Sequence, residues 1–217
     1  MTTNLAPHVG QPILHVGASL RTASAAMVLL HGRGATADGI LDLAQALQAP
    51  GVAFFAPQAA GNTWYPNRFT APIASNEPGI SSAMAMLDDL HHAIVEAGIP
   101  NERVVLLGFS QGGCLALEYA ARHARRYGGV VGLSAGLIGP DGTPRDYAGS
   151  FDGTPVFLGC SDVDSHIPLP RVHESANVLR RMGAEVDVRI YPGMGHTVNA
   201  DEMDAVRGIL ASVVATA

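Results

Sequence analysis

Ten consecutive residues constrain this chain more than any others: Val104-Val105-Leu106-Leu107-Gly108-Phe109-Ser110-Gln111-Gly112-Gly113. An apolar strand ends in G-x-S-x-G and runs directly into an Ala/Leu-rich segment of helical periodicity. In that context the serine sits on a sharp strand-to-helix turn, and glycine two residues before and after it avoids a steric clash. Ser110 is therefore the candidate nucleophile, and the turn that carries it needs a sheet to stand on.

The rest of the chain supplies the sheet. Short apolar runs alternate with longer segments of 3–4 spacing from about residue 26 onward, the pattern of βα units on a mostly parallel sheet. Strands are expected at Ile13–Ser19, Met27–Leu30, Val52–Ala56, Arg103–Phe109, Gly129–Leu133, Pro155–Gly159 and Glu185–Tyr191. Helices are expected at Thr36–Gln48, Ile80–Ala97, Gln111–Arg126, Leu169–Met182 and Ala200–Val214, with Thr36 and Asn199 as N-caps. Pro57 to Gly79 reads as a long loop carrying Trp64, Tyr65 and Phe69, and loops of that length in compact domains are usually functional. Ser134 to Thr154 is rich in Gly and Pro and is expected as a surface excursion. With no repeat and no linker-like stretch, residues 1–217 are expected to form one α/β domain of about seven strands without a separate lid.

A serine nucleophile needs a base and an orienting acid, which follow it in this chain order as acid, then histidine. Of the nine histidines, His196 lies in the Gly-rich loop Tyr191-Pro192-Gly193-Met194-Gly195-His196, after one predicted strand and before the last helix. His8, His15, His91, His92, His123 and His173 fall on termini, strands or helix faces and read as surface or packed imidazoles. The acid comes from Gly159-Cys160-Ser161-Asp162-Val163-Asp164-Ser165-His166-Ile167-Pro168. Counting from the strand-ending glycine favours Asp162, and counting back from Ile167-Pro168 favours Asp164. Asp162 is the expected acid and Asp164 the alternative.

The oxyanion donors are expected to be the backbone N–H of Gln111, just after the nucleophile, and that of Arg33 in Leu30-His31-Gly32-Arg33-Gly34. The same loop offers a decoy, because Gly32 to Ala37 matches the dinucleotide pattern G-x-G-x-x-A. The ribose-binding acid that should follow about twenty residues later is missing from Phe54-Phe55-Ala56-Pro57-Gln58.

Composition closes other routes. All thirteen basic residues are arginine, which removes a Schiff-base lysine and the lysine of a P-loop. A formal charge of −6 argues against nucleic acid as a partner, since such binding needs a basic surface. Cys114 and Cys160 form neither a CxxC pair nor a metal-ligand spacing, and no apolar run approaches the ~18 residues of a membrane span. A cytoplasmic protein without metal or cofactor is expected.

Four motifs taken together give the chain a resemblance to the phospholipase/carboxylesterase family of α/β-hydrolases, which includes small bacterial esterases and the acyl-protein thioesterases. They are L-H-G-x-G at Leu30–Gly34, G-F-S-Q-G-G at Gly108–Gly113, G-x-x-D followed by I-P at Gly159–Pro168, and Y-x-G-M-x-H at Tyr191–His196. The resemblance covers nearly the whole chain after residue 25. It implies a Ser-His-Asp hydrolytic triad acting on small-molecule esters, with the segment Thr63-Trp64-Tyr65 beside the acyl pocket, and it allows a homodimer; Phe69, in the same aromatic loop, is expected to join Trp64 and Tyr65 in the pocket wall. A thioesterase would use the same triad, a non-catalytic binding protein could keep the fold, and a nicotinamide dehydrogenase rests on the decoy alone.

Overall fold

The computed structural model describes residues 6–215, so the first five and last two residues of the expected 1–217 domain lie outside it. Seven strands form one sheet in the order β1-β3-β2-β4-β5-β6-β7. They are β1 Ile13–Gly17, β2 Ala25–Leu30, β3 Val52–Pro57, β4 Val104–Phe109, β5 Gly129–Leu133, β6 Pro155–Ser161 and β7 Glu185–Tyr191. Only β1 runs antiparallel, against β3; every other pairing is parallel. The helices are α1 Ala37–Leu47, α2 Gly79–Glu96, α3 Gln111–Arg122, α4 Leu169–Arg181 and α5 Ala200–Ala215.

The two-residue period of the strands separates two cores. In β2, Ala26, Val28 and Leu30 join the apolar layer that holds α2, α3 and α4. Ala25, Met27 and Leu29 face the opposite layer, built with α1 and α5. Burial on both faces explains why β2, β3 and β4 read as unbroken apolar runs rather than as alternating ones. Parallel strands also bring the ends of β2, β4, β6 and β7 to one edge, the place where open α/β sheets hold ligands.

The expected surface excursion from Ser134 to Thr154 holds for the mostly exposed residues 141–150 and is corrected at its two ends. Ser134 to Gly139 is buried, and Leu137, Ile138 and Phe151 belong to the core. Gly and Pro signalled the loss of regular structure, which does not decide exposure. Buried irregular backbone needs polar partners, and distant side chains provide them. Glu118 Oε2 accepts from the Ile138 N–H, Ser175 Oγ from the Leu137 N–H, and Arg171 donates to the carbonyls of Leu137 and Gly139.

Among the described residues no helix is long and apolar enough to cross a membrane. Cys114 and Cys160 are both buried and free.

Candidate active site

Ser110 connects β4 to α3 with φ 54° and ψ −120°, a conformation an L-residue adopts only under constraint. The flanking glycines supply the constraint. A Cβ on Gly112 would stand 2.2 Å from the Leu30 carbonyl oxygen, and one on Gly108 2.2 Å from that of Gly112. Backbone therefore closes on the serine from both sides, while the Ser110 N–H donates to the Leu133 carbonyl at 2.9 Å.

His196 reaches this serine from the loop after β7. Its Nε2 lies 2.8 Å from Ser110 Oγ and its Nδ1 2.7 Å from Asp164 Oδ2. Phe109 and His166 flank the imidazole, with ring centroids at 4.9 and 4.7 Å. The Asp164 side chain is fully buried. Burial raises its pKa, but the hydrogen bond to His196 and those from the N–H groups of His166 and Ile167 outweigh this and hold it below the usual carboxylate range.

The preference for Asp162 is thereby corrected. Its carboxylate is exposed and accepts from the Gly193 N–H at 2.8 Å, tying the acid loop to the histidine loop from outside. The physical reason is the length of β6, which pairs with β7 through Ser161–Tyr191, two residues beyond the expected end at Gly159. The residue three positions past the strand is then Asp164.

The N–H groups of Arg33 and Gln111 make no hydrogen bond among the described residues, and that of Gln111 opens α3, where the helix dipole is positive. The Arg33 loop is fixed by the Gly34 N–H, which donates to Asn62, and by His31. His31 Nδ1 bonds the Gly32 carbonyl while Nε2 accepts from the Ala59 N–H, and burial lowers its pKa, so the ring is neutral. At the end of β3, where a ribose-binding acid would belong, Gln58 caps the Ala37 N–H.

A cavity of about 300 Å³ opens on Ser110 and His196. Tyr65, Phe69, Phe109, Cys114 and Ile167 form apolar wall, and Gly32, Arg33, Ala35, Arg68, Gln111 and His166 also line the cavity. Trp64, expected as wall, is fully buried behind it and does not line the cavity. Its indole N–H donates to the His31 carbonyl, and the rings of His8 and His31 lie 5.4 and 5.0 Å away. Trp64 anchors the long loop, which Gln111 also clasps by accepting from the Trp64 N–H and donating to the Tyr65 carbonyl. Cys114 reaches the same cavity, but burial pushes its thiol up to about 12, so it stays protonated and is a poor nucleophile. His166 and Arg68 carried no motif of their own, and their only sequence signal was their place in the acid loop and the aromatic loop; Ile167 and Gln111 lie in motifs that gave no sign of the apolar wall or of the side-chain clasp they form. Among the described residues no three His, Cys, Asp or Glu side chains are grouped to hold a metal.

The His196 loop is held by a reciprocal cap at the start of α5. Asn199 Oδ1 accepts from the Glu202 N–H at 2.9 Å, and Glu202 Oε2 accepts from the Asn199 N–H at 2.8 Å. Glu202 Oε1 is buried without a hydrogen-bond partner, and burial raises this carboxyl from 4.5 to about 7. Between those values the native state holds a proton that the unfolded chain has released, so this group's contribution to stability falls as pH rises through the window. Glu202→Gln should remove that dependence. The Tm of the variant minus that of the parent should increase from pH 5 to pH 8, by roughly 5 °C for a chain of this size. Parallel Tm profiles across the window would contradict the assignment.

Comparison with known proteins extends the likeness beyond the four motifs. The sequence profile described as Phospholipase/Carboxylesterase matches residues 12–214. A crystal structure of phospholipase/carboxylesterase from Dyadobacter fermentans is 41% identical with a TM-score of 0.90, covering 93% of this chain and 97% of that one. Acyl-protein thioesterase 1 of Saccharomyces cerevisiae is 28% identical over 215 residues, 88% of this chain and 93% of the yeast protein. Acyl-protein thioesterase 1 of Gibberella zeae is 34% identical over 135 residues, so the match spans only 57% of that relative's length. The chain belongs to the phospholipase/carboxylesterase family of α/β-hydrolases.

Proposed function

We propose that this chain is a serine esterase that cleaves small to medium carboxylic esters through an acyl-enzyme, without metal or cofactor. The observation that carries the reading is the continuous line of contacts from Ser110 Oγ through His196 to the buried carboxylate of Asp164. His196 Nε2 takes the proton of Ser110 as Oγ attacks the ester carbonyl, and Asp164 holds the ring with its proton on Nδ1 and stabilises the imidazolium. The Arg33 and Gln111 N–H groups receive the oxyanion. The imidazolium then protonates the departing alcohol as the C–O bond breaks. In the second half-reaction His196 activates water, which releases the carboxylic acid and restores the serine.

The likeness to the acyl-protein thioesterases of Saccharomyces cerevisiae and Gibberella zeae favours a second reading, a thioesterase using the same residues. Matched oxygen and thiol esters of graded acyl length separate the two. The esterase reading predicts oxygen-ester turnover with short acyl chains preferred, because about 300 Å³ lies at the small end of ligand cavities. A thiol ester consumed more than about tenfold faster than its oxygen twin, a difference of about 1.4 kcal/mol, would transfer the assignment to the second reading. Absence of turnover with both would overturn each.

A further inference from the structure

The chain carries nineteen acidic side chains against thirteen arginines, yet the residues lining the cavity include Arg33, Arg68 and His166 and no Asp or Glu. Arg122, Arg145, Arg171, Arg189 and Arg207 each stand within ion-pair distance of a carboxylate. Arg33 and Arg68 have no such partner among the described residues, which is also true of Arg21, Arg125, Arg126, Arg180 and Arg181, but Arg33 and Arg68 are the two arginines in the cavity lining. The Arg33 guanidinium is committed to three neutral acceptors, the carbonyls of Tyr65, Pro66 and Asn67, and so adds a fixed positive charge beside the loop that bears Arg68. Arg68 is exposed and has one long contact, 3.4 Å from its Nη2 to the Ser165 carbonyl. Its remaining donors are available to a ligand.

The position of that contact chooses a side of the reaction centre. Ser165 directly precedes His166, whose ring packs against His196 at 4.7 Å. The leaving oxygen must come to His196 Nε2 to collect its proton, and a leaving group that continues past His166 from there meets Arg68. The acyl chain is left to the apolar wall of Tyr65, Phe69 and Cys114.

We propose that the preferred substrates are esters whose leaving alcohol carries an anionic group, received by Arg68 in the added field of Arg33. The proposal rests on the esterase reading and adds the charge of the substrate to it. An exposed guanidinium meeting a carboxylate gives a modest preference, about two- to fivefold, which salt weakens.

The test uses two pairs of probes with the full chain. In one, 4-carboxyphenyl butyrate is compared with the neutral 4-carbamoylphenyl butyrate; in the other, phenyl hemisuccinate is compared with phenyl succinamate, which moves the charge to the acyl side. The expected result is a kcat/KM ratio of about two to five in favour of the carboxylated alcohol, expressed mainly in KM and reduced in 0.5 M NaCl. Arg68→Gln should bring that ratio close to one, and Arg68→Lys should restore most of it. Equal rates within the first pair, a ratio that survives Arg68→Gln, or a preference confined to the charged acyl group would each overturn the proposal while leaving the esterase reading intact. Failure to hydrolyse any of the four esters would instead overturn the esterase reading, and the proposal with it.

Discussion

Ser110→Ala is expected to lower kcat by about four to six orders of magnitude while leaving Tm within about 3 °C of the parent. The loss is large because nothing else at the cavity can take over. Cys114 is the other potential nucleophile in the lining, and its thiol remains protonated. The fold should persist because the strained turn is imposed by Gly108 and Gly112 and by the Ser110 N–H bond to Leu133, none of which uses the hydroxyl. Ser110 Oγ touches His196, so the substitution removes one polar contact at a solvent-accessible site. Burst kinetics and calorimetry on the two proteins would check both halves. Residual turnover above about a hundredth of the parent would exclude Ser110 as nucleophile.

The second large effect separates two aspartates two residues apart. Asp164→Asn should lower kcat by about three to four orders of magnitude with KM little changed. Its Oδ1 would still accept from the His166 and Ile167 N–H groups, so the loop would stay in place. The Oδ2 position, however, would become an amide that donates to His196 Nδ1. The ring would then carry its proton on Nε2, facing Ser110, and could not accept another. Asp162→Asn should cost less than about fivefold, because an amide oxygen can accept from the Gly193 N–H as the carboxylate does and the group is exposed. Both substitutions lie in one loop, so general damage would depress both variants alike. A more severe loss in Asp162→Asn would overturn the assignment of the acid.

These two predictions also mark how far the sequence could be read. β4 and its glycines were legible because an apolar run, a serine between glycines and a following helix each have one physical meaning at that spacing. His196 was legible from its loop, between a strand and a capped helix. The acid was not, because choosing between Asp162 and Asp164 depended on where β6 ends, and that end is set by pairing with β7 through Tyr191, a partner remote in sequence. Trp64 failed for a related reason. Its place in an aromatic loop was visible, but its direction is decided by the His31 carbonyl and by two buried imidazoles from other parts of the chain. The helix expected to reach Arg126 stops at Arg122, where His123 leaves the helical region and Arg125 and Arg126 turn to the carbonyls of His123 and Asp152. Local pattern identified elements and their order; long-range hydrogen bonding decided ends, side-chain directions and which loop lies inside.

Covalent labelling tests the central claim most directly, since it asks whether Ser110 is a nucleophile activated by His196. Folded protein treated with a fluorophosphonate should gain the mass of a single phosphonyl group, mapped by peptide sequencing to Ser110. Ser110→Ala should gain none, and His196→Ala should label far more slowly than the parent. No adduct on the folded parent, or an adduct mapped to any other residue, would contradict the mechanism.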